Sequence, residues 1–239
     1  MFQTMDVDEE DSQLVQHRYI ESAFTRPPVY DAIFSCCSPG DFIRFGRTCH
    51  TARGAMYNFS SRAFNINRHL LRFFPNPIDF RSLQARTGTL ISGSNALQFL
   101  DRTFYPESDL DLYTHPGHSR EVGLWLIRWA GYKFAPNSSQ APNFDALVTD
   151  DWDGLARRYD AETDVDLVHG QKYRMVGIGA IYTFTKDDGI VGVPPIKVQI
   201  IEAETNPLQC VLGFHSRSYR FLLLYFKGIS LIFAWKCVS

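Results

Sequence analysis

Two short polar segments near the middle of the chain carry residue types suited to binding phosphate and metal. The first is Gly93-Ser94, at the end of the apolar run Thr89–Ile91, and the second is Asp109-x-Asp111. A Gly-Ser turn that leads into a helix presents backbone N–H groups, which suit a phosphate. Side chains alternate along a strand, so both carboxylates lie on one side about 7 Å apart and can reach the same divalent ions. This order of strand, turn, helix and paired acids predicts a site for a metal-bound nucleoside triphosphate.

These two segments resemble the signature of the nucleotidyltransferase superfamily, whose fold is similar to the palm of DNA polymerase beta. The resemblance implies that Gly93 and Ser94 hold the triphosphate. It also implies that Asp109 and Asp111 are the catalytic, metal-binding acids for Mg²⁺ or Mn²⁺. It covers roughly residues 85–215. The gap between Ser94 and Asp109 lies at the long edge of what the family usually shows.

The resemblance also implies a third acid on a later strand, and the strand predicted over 196–202 is the place for it. Gln199 occupies one face there, whereas Glu202 shares the other face with Val198 and Ile200. A neutral amide holds a hard cation less well than a carboxylate does. Glu202 is the alternative ligand if the register slips by one residue, which would expose the two apolar side chains. With Gln199 in the third position, we expect nucleotide binding with slow turnover.

Other interpretations of the acidic residues remain open. Asp-x-Asp pairs are common, and Asp109 could belong to a polar turn before an edge strand. A second pair, Asp164 and Asp166, has no Gly-Ser partner and is more typical of an exposed strand. His215 follows the strand of the third acid, but a capping or packed histidine is more common there than an active-site group.

Residues 26–75 predict a small helical module before these segments. Pro27-Pro28 opens a helix, and Ser38-Pro39-Gly40-Asp41 is a turn with an N-cap before a second helix that contains Phe42 and Phe45. Over about 35 residues this pattern resembles an F-box, which implies docking to the Skp-type adaptor of cullin ubiquitin ligases. The alternative is that these helices only pack against the main domain.

The composition limits the classes of protein to which the chain can belong. It has 239 residues, 45% hydrophobic content, a net charge of −2 and a pI near 6.4. Such a chain forms one large domain or a domain with a small module. Nucleic-acid binding is not indicated by the net charge, so it would require a local basic patch.

The cysteines and the two ends of the chain favour an intracellular protein, in the cytoplasm or nucleus. Five cysteines are present, and no pair has zinc-finger spacing with partner histidines. The N-terminus is acidic, unlike a signal peptide. The apolar run Phe221–Trp235 is shorter than the roughly 20 residues of a membrane-spanning helix, so it predicts a buried helix or a strand pair. We therefore expect no membrane association.

Helices alternate with strands in the first half of the chain, and strands follow one another later, which predicts an α+β fold. We expect a nucleotidyltransferase-like mixed sheet flanked by helices and preceded by the small helical module. The predicted divisions are an acidic flexible tail over 1–25, the module over 26–75 and the main domain over 80–239. Within the main domain, the polar stretch 135–160 predicts a long loop.

The leading functional hypothesis is metal-dependent binding of a nucleoside triphosphate, with nucleotidyl transfer that is weak or lost. Whether the protein is an active enzyme is left open. The alternative is a non-catalytic, F-box-like adaptor that binds a Skp-type subunit. A third is a pseudoenzyme without any link to a ubiquitin ligase.

Overall fold

The computed structural model describes residues 19, 22–150, 177–187, 189, 192 and 194–213, together with the backbone of 221–226 and 229–234. The chain divides into two compact units, residues 1–65 with 100–102, and residues 66–99 with 103–239. This division lies ten residues before the predicted end of the helical module. Most of the predicted tail, the pair Asp164 and Asp166, and His215 fall outside the described residues.

In the described part of the first unit, helical residues 22–25 precede α1 (Pro27–Cys36), α2 (Pro39–Phe45) and α3 (His50–Ala63). Prolines occupy the first turns of α1 and α2, where a missing N–H costs nothing. The Oγ of Ser38 caps α2 by accepting a hydrogen bond of 3.3 Å from the Asp41 N–H. The N-terminal helical region predicted from the sequence is therefore present.

The core of the first unit is aromatic. Its buried members are Tyr30, Phe34, Phe42, Ala55 and Phe59. The guanidinium of Arg102 lies over three rings of the first unit, 5.5 to 5.9 Å from their centroids. Two apolar residues of α1 are not in this core, because Val29 is 39% and Ile33 is 41% exposed.

The described residues of the second unit form a sheet with helices before, between and after its strands. Its elements in chain order are α4 (Ile66–Leu70), α5 (Pro77–Thr87), β1 (Leu90–Ser92), α6 (Gly93–Asp101), β2 (Leu110–Thr114), α7 (Ser119–Arg128), β3 (Lys133–Phe134), α8 (Phe144–Asp150), β4 (Ile178–Lys186), β5 (Ile196–Ala203), α9 (Pro207–Gly213), β6 (Phe221–Phe226) and β7 (Ile229–Ala234). The last residues of α6 count with the first unit.

The described strands form a mixed sheet in the order β3-β4-β5-β2-β1-β6-β7. Strands β2 and β5 are parallel, and every other neighbouring pair is antiparallel. A helical region followed by a mixed sheet with flanking helices confirms the predicted α+β class. The closing apolar run forms the antiparallel pair β6 and β7, one of the two forms expected for it.

Strand alternation decides which side chains of the two central strands face the core. Leu110 and Leu112 on β2, and Val198 and Ile200 on β5, are fully buried. The opposite face carries the predicted site residues, and farther along it Tyr113 and Ile201 pack in a cluster with residues of α9. This face is therefore polar at one end and apolar at the other.

The prediction of a continuous loop over 135–160 was wrong, because Phe144–Asp150 is a helix. The side chain of Asn143 accepts a hydrogen bond from the Ala146 N–H at 3.2 Å and caps it. Phe144 is buried, with its ring centroid 5.0 Å from that of Phe184. The polar composition of this stretch gave no indication that Phe144 is buried or that Asn143 caps a helix. No helix in the described part of the chain is long and apolar enough to cross a membrane.

Candidate functional site

The turn at Gly93 and the carboxylate of Asp111 lie against each other. Ser92 ends β1 opposite Asp111 in the antiparallel register, and Gly93 then turns with φ of +75° into α6. A methyl group added to Gly93 would lie 3.1 Å from Asp111 Cγ and closer still to Oδ2. Glycine is therefore required twice, for its positive φ and for the space that the carboxylate occupies. The structure thus brings the predicted turn and one predicted acid together.

Burial changes the charge of Asp111. Loss of hydration raises the pKa of its carboxyl to about 7, with a further rise from the charge of Asp109 and an opposing effect of Lys197. Near neutral pH, Asp111 therefore holds a proton about half of the time. A divalent cation bound there must displace that proton, which couples metal affinity to pH.

Asp109 is paired with a cation from the protein itself. The Nζ of Lys197 lies 2.9 Å from Asp109 Oδ2, and about one third of each side chain is exposed. Lys197 shares the face of Gln199 by strand alternation, so the contact agrees with the face predicted for the acids. The ammonium group of Lys197 neutralises the carboxylate of Asp109 and competes with a metal ion for it.

The parallel pairing of β2 with β5 shows which candidate for the third metal-binding position, Gln199 or Glu202, lies beside Asp111. Gln199 is the register partner of Asp111, whereas Glu202 is the partner of Thr114. Three residues of strand separate Glu202 from Gln199, about 10 Å, and they place Glu202 on the opposite face. The amide thus accompanies the two acids, and Glu202 does not.

The donor set limits which metal could bind here. Among the described residues there is no group of three or more His, Cys, Asp and Glu side chains that could hold a metal. Mg²⁺ is commonly held by one or two carboxylates together with substrate phosphates. Asp109 and Asp111 therefore fit one divalent cation that arrives with a triphosphate. They do not provide the acids for two ions held by the protein alone.

The first turn of α6 is supported by a buried histidine. Asn95 is completely buried, and its Oδ1 lies 2.8 Å from His69 Nε2. Burial lowers the pKa of His69, so the ring is neutral, and its Nε2 must carry the proton that the amide oxygen accepts. Asn95 Nδ2 has no hydrogen-bond partner within the described residues. Beside it, Ser94 is half-buried.

An arginine holds the loop that leads to Asp109. The guanidinium of Arg72 donates to the carbonyl oxygens of Tyr105 at 3.0 Å and Ser108 at 3.3 Å, and also to that of Pro106. It lies 5.0 Å from the centroid of the Phe104 ring. One side chain thus binds the segment directly before the acidic strand.

Sequence reasoning gave no supporting role at this site to three residues: His69, Arg72 and Lys197. Strand alternation places Lys197 on the face of Gln199, but it does not show the contact with Asp109. The other two have no local signal, since Arg72 lies 33 to 36 positions before the groups that it binds. Only the tertiary fold brings them to the site.

Comparison with protein-family models, curated proteins and solved structures finds no match to this chain. The functional assignment therefore depends on the arrangement of these residues.

Proposed function

We propose that the second unit is a nucleotidyltransferase-like domain that binds a nucleoside triphosphate with Mg²⁺ or Mn²⁺, and that its catalytic power is weak or lost. The observation that carries the proposal is the close approach of Asp111 to Gly93. It brings an acid and a helix-opening turn to one point, where a phosphate and its counter-ion can bind together.

The strand arrangement supports the same proposal. The Gly-Ser turn follows β1, Asp109 lies directly before antiparallel β2, which carries Asp111, and parallel β5 carries the third position. This is the order that the resemblance to nucleotidyltransferases implies. The three strands are neighbours in the centre of the sheet, so the site residues are held by backbone hydrogen bonds on both sides.

Each residue has a role in this proposal. The N–H groups at Gly93 and Ser94, with the Ser94 hydroxyl, bind phosphate oxygens at the positive end of α6. Asp109 and Asp111 hold the cation, and a divalent ion there supplies charge neutralisation for the triphosphate. His69 fixes the Asn95 side chain in the first turn of the same helix.

Three features argue for low activity. The third position is an amide, Lys197 is already paired with Asp109, and Asp111 is half-protonated near pH 7. Each lowers the negative charge available for cations. Two-metal catalysis needs negative charge to bring both ions together. We therefore expect the protein to bind nucleotide but to transfer the nucleotidyl group slowly or not at all.

Calorimetric titration tests the binding. ATP and GTP are added to the full chain with Mg²⁺ or Mn²⁺, and binding is expected only when metal is present. The double variant Asp109→Asn/Asp111→Asn should lose it, whereas Glu107→Gln, an exposed acid of the same loop, should retain it. Absence of binding in the unaltered protein, or equal binding in the double variant, would refute the proposal.

Restoring an acid at the third position gives a second test. Gln199→Glu places a carboxylate beside Asp111, so it should lower the melting temperature without metal through like-charge repulsion. With Mn²⁺ present, the variant should gain more stability than the unaltered protein and bind the cation about tenfold more tightly. The matched control Gln140→Glu lies outside the site. An identical metal response in the two variants would argue against a cation site at Asp111.

A second candidate function belongs to the first unit: docking to a Skp-type adaptor. The observation that favours it is three exposed apolar side chains on this helical unit, Val29, Ile33 and Ile43. Val29 and Ile33 are four residues apart in α1 and therefore share a helix face. Phe42, by contrast, is 3% exposed, so it serves the core.

The adaptor proposal is tested on the exposed residues rather than on the core. Val29→Asp/Ile33→Asp should abolish binding to a purified Skp-type adaptor while the melting temperature stays within about 4 °C, because surface changes cost little stability. Ser61→Asp, at an exposed position of α3, is the control. Retained binding by the double variant would rule out this surface.

A further inference from the structure

A groove on the second unit combines exposed tryptophan with arginine. It has a volume of about 340 Å³ and lies along α5 and α7. Its lining residues are Leu83, Arg86, Gly117, Arg120, Glu121, Leu124, Trp125, Arg128 and Trp129. None of them belongs to the nucleotide site proposed above.

The lining follows from helical spacing. Arg120, Leu124 and Arg128 recur every four residues on α7, and Glu121, Trp125 and Trp129 form the adjacent row. Val122 and Leu126 occupy the buried side of the same helix. The α7 face that lines the groove thus presents aromatic and basic groups instead of the usual short polar residues.

Trp129 is the most unusual member of this surface. It is 75% exposed, although tryptophan is highly buried on average. Its backbone N–H closes the last turn of α7 on the Trp125 carbonyl oxygen at 2.9 Å, so the ring is carried by a regular helix end. A large flat ring held in this way offers a stacking surface.

The charges favour a polyanion. Arg86 donates to Glu121 through Nε at 2.8 Å, and Arg120 donates to Asp145 at 2.8 Å. Exposed ion pairs of this kind contribute little, so a phosphate can compete for either guanidinium. For Arg128, no carboxylate partner is found within the described part of the chain. Among these five groups, three guanidinium groups against two carboxylates leave one positive charge in excess.

We propose that this groove is a docking surface for single-stranded nucleic acid. Bases stack on Trp129, and the flanking phosphates pair with Arg128 and its neighbours. Single strands are bound in this way, by aromatic platforms beside a basic groove, without need of a base sequence. Because the net charge of the chain is −2, nucleic-acid binding requires a local group of basic residues, and this surface supplies one.

The proposal goes beyond nucleotide binding and does not depend on it. The surface lies on α5 and α7, whereas the proposed phosphate site lies at the start of α6. Trp129→Ala should therefore leave the ATP titration unchanged, and the double Asp variant should leave oligonucleotide binding unchanged.

Fluorescence anisotropy with a labelled single-stranded oligoribonucleotide of about 12 nucleotides, within the usual range for one binding module, tests the inference. Trp129→Ala in the full chain should weaken binding about tenfold through the lost stacking. Arg128→Gln should weaken it and reduce the slope of log K against log salt by about 0.7, the contribution of one phosphate contact. A role of these exposed residues in folding alone would not change that slope.

Two control variants carry similar changes on the other unit. Arg47→Gln removes an exposed arginine, and Tyr57→Ala removes an aromatic side chain that is 64% exposed. Neither should alter the affinity or the salt slope. Thermal unfolding checks that all four variants are folded.

Three outcomes would overturn the inference. The first is absence of oligonucleotide binding at about 0.15 M salt, and the second is equal affinity in Trp129→Ala and Tyr57→Ala. The third is displacement of the oligonucleotide by polyglutamate at equal charge concentration, which would make the groove a surface for acidic peptides.

Discussion

At the scale of single residues, the candidate site depends on one close approach. Asp111 occupies the space that any side chain at position 93 would need. Loss of hydration is also the main cause of the raised pKa of this carboxyl. The side chain that fills the space beside Gly93 is therefore one whose charge changes near neutral pH.

Gly93→Ala is expected to be costly for two reasons, the φ of +75° and the overlap with the Asp111 carboxylate. Gly189→Ala measures the cost of the positive φ alone, because Gly189 has a φ of +72° but nothing within 4 Å of an added Cβ. We expect a loss of unfolding free energy of about 1 kcal/mol for Gly189→Ala and about 3 kcal/mol for Gly93→Ala. Urea denaturation measures both, and equal losses would contradict the contact.

Asp111→Asn should change how stability depends on pH. The folded pKa of about 7 lies above the unfolded value of 3.8, so the folded state holds the extra proton between them. Stability therefore falls as pH rises from about 4 to 7, and this part of the dependence disappears above pH 7.

The asparagine variant lacks this penalty. At pH 8 without metal it should be more stable than the unaltered protein by about 1–2 kcal/mol, after allowance for partial exposure, and at pH 4 the two should be equal. Urea denaturation at both pH values measures the difference, with Glu107→Gln as the control. A constant difference across this range would show that Asp111 is ionised throughout.

At the scale of elements, the acidic strand β2 depends on the loop before it. Arg72 binds carbonyl oxygens at Tyr105, Pro106 and Ser108, and its stem belongs to the segment after α4. These charge-assisted hydrogen bonds satisfy carbonyl groups that a loop cannot satisfy for itself. Arg72 is thus a positioning residue for Asp109.

Arg72→Met should lower the unfolding free energy by about 1–2 kcal/mol, since it removes these hydrogen bonds. It should also weaken metal-dependent nucleotide binding, because the end of the loop then moves relative to β2. Arg72→Lys should recover only part of both effects, since an ammonium group lacks the planar fork. The control Arg86→Met breaks an exposed ion pair and should cost less than about 0.5 kcal/mol. Denaturation and calorimetry give the two readouts.

At the scale of the whole molecule, the central strands are protected by strands from distant parts of the sequence. β1 is bordered by β2 and by β6, with Ile91 paired to Leu223. Without the β6 and β7 pair, β1 would become an edge strand with unpaired backbone groups. Exposed edges of this kind promote association between chains.

Removal of residues 214–239 should therefore cause aggregation that light scattering detects, along with loss of the cooperative thermal transition. Removal of residues 235–239 alone leaves both strands and should preserve a monodisperse, cooperatively unfolding protein. A monodisperse longer truncation with an unchanged melting temperature would show that β6 is dispensable for the sheet.

The limits of sequence prediction are visible in particular elements. Local signals located α1 through Pro27-Pro28 and α2 through Ser38, because they act within one helical turn. Strand alternation placed Gln199 beside the acids once the sheet had formed. The helix at Phe144–Asp150 was missed, because its stability comes from a buried ring and not from its own periodicity.

The sequence by itself determined local parts of this protein: the turn at Gly93, the strand that carries Asp111 directly after Asp109, and the helical start before a mixed α+β region. Hydrogen bonding and side-chain alternation over a few residues are sufficient for these. Only the tertiary structure decided that Asp111 is buried against Gly93, that Lys197 neutralises Asp109 and that Trp129 lies exposed beside Arg128. Burial and long-range pairing set those relations, and they arise when strands distant in the chain become neighbours in one sheet.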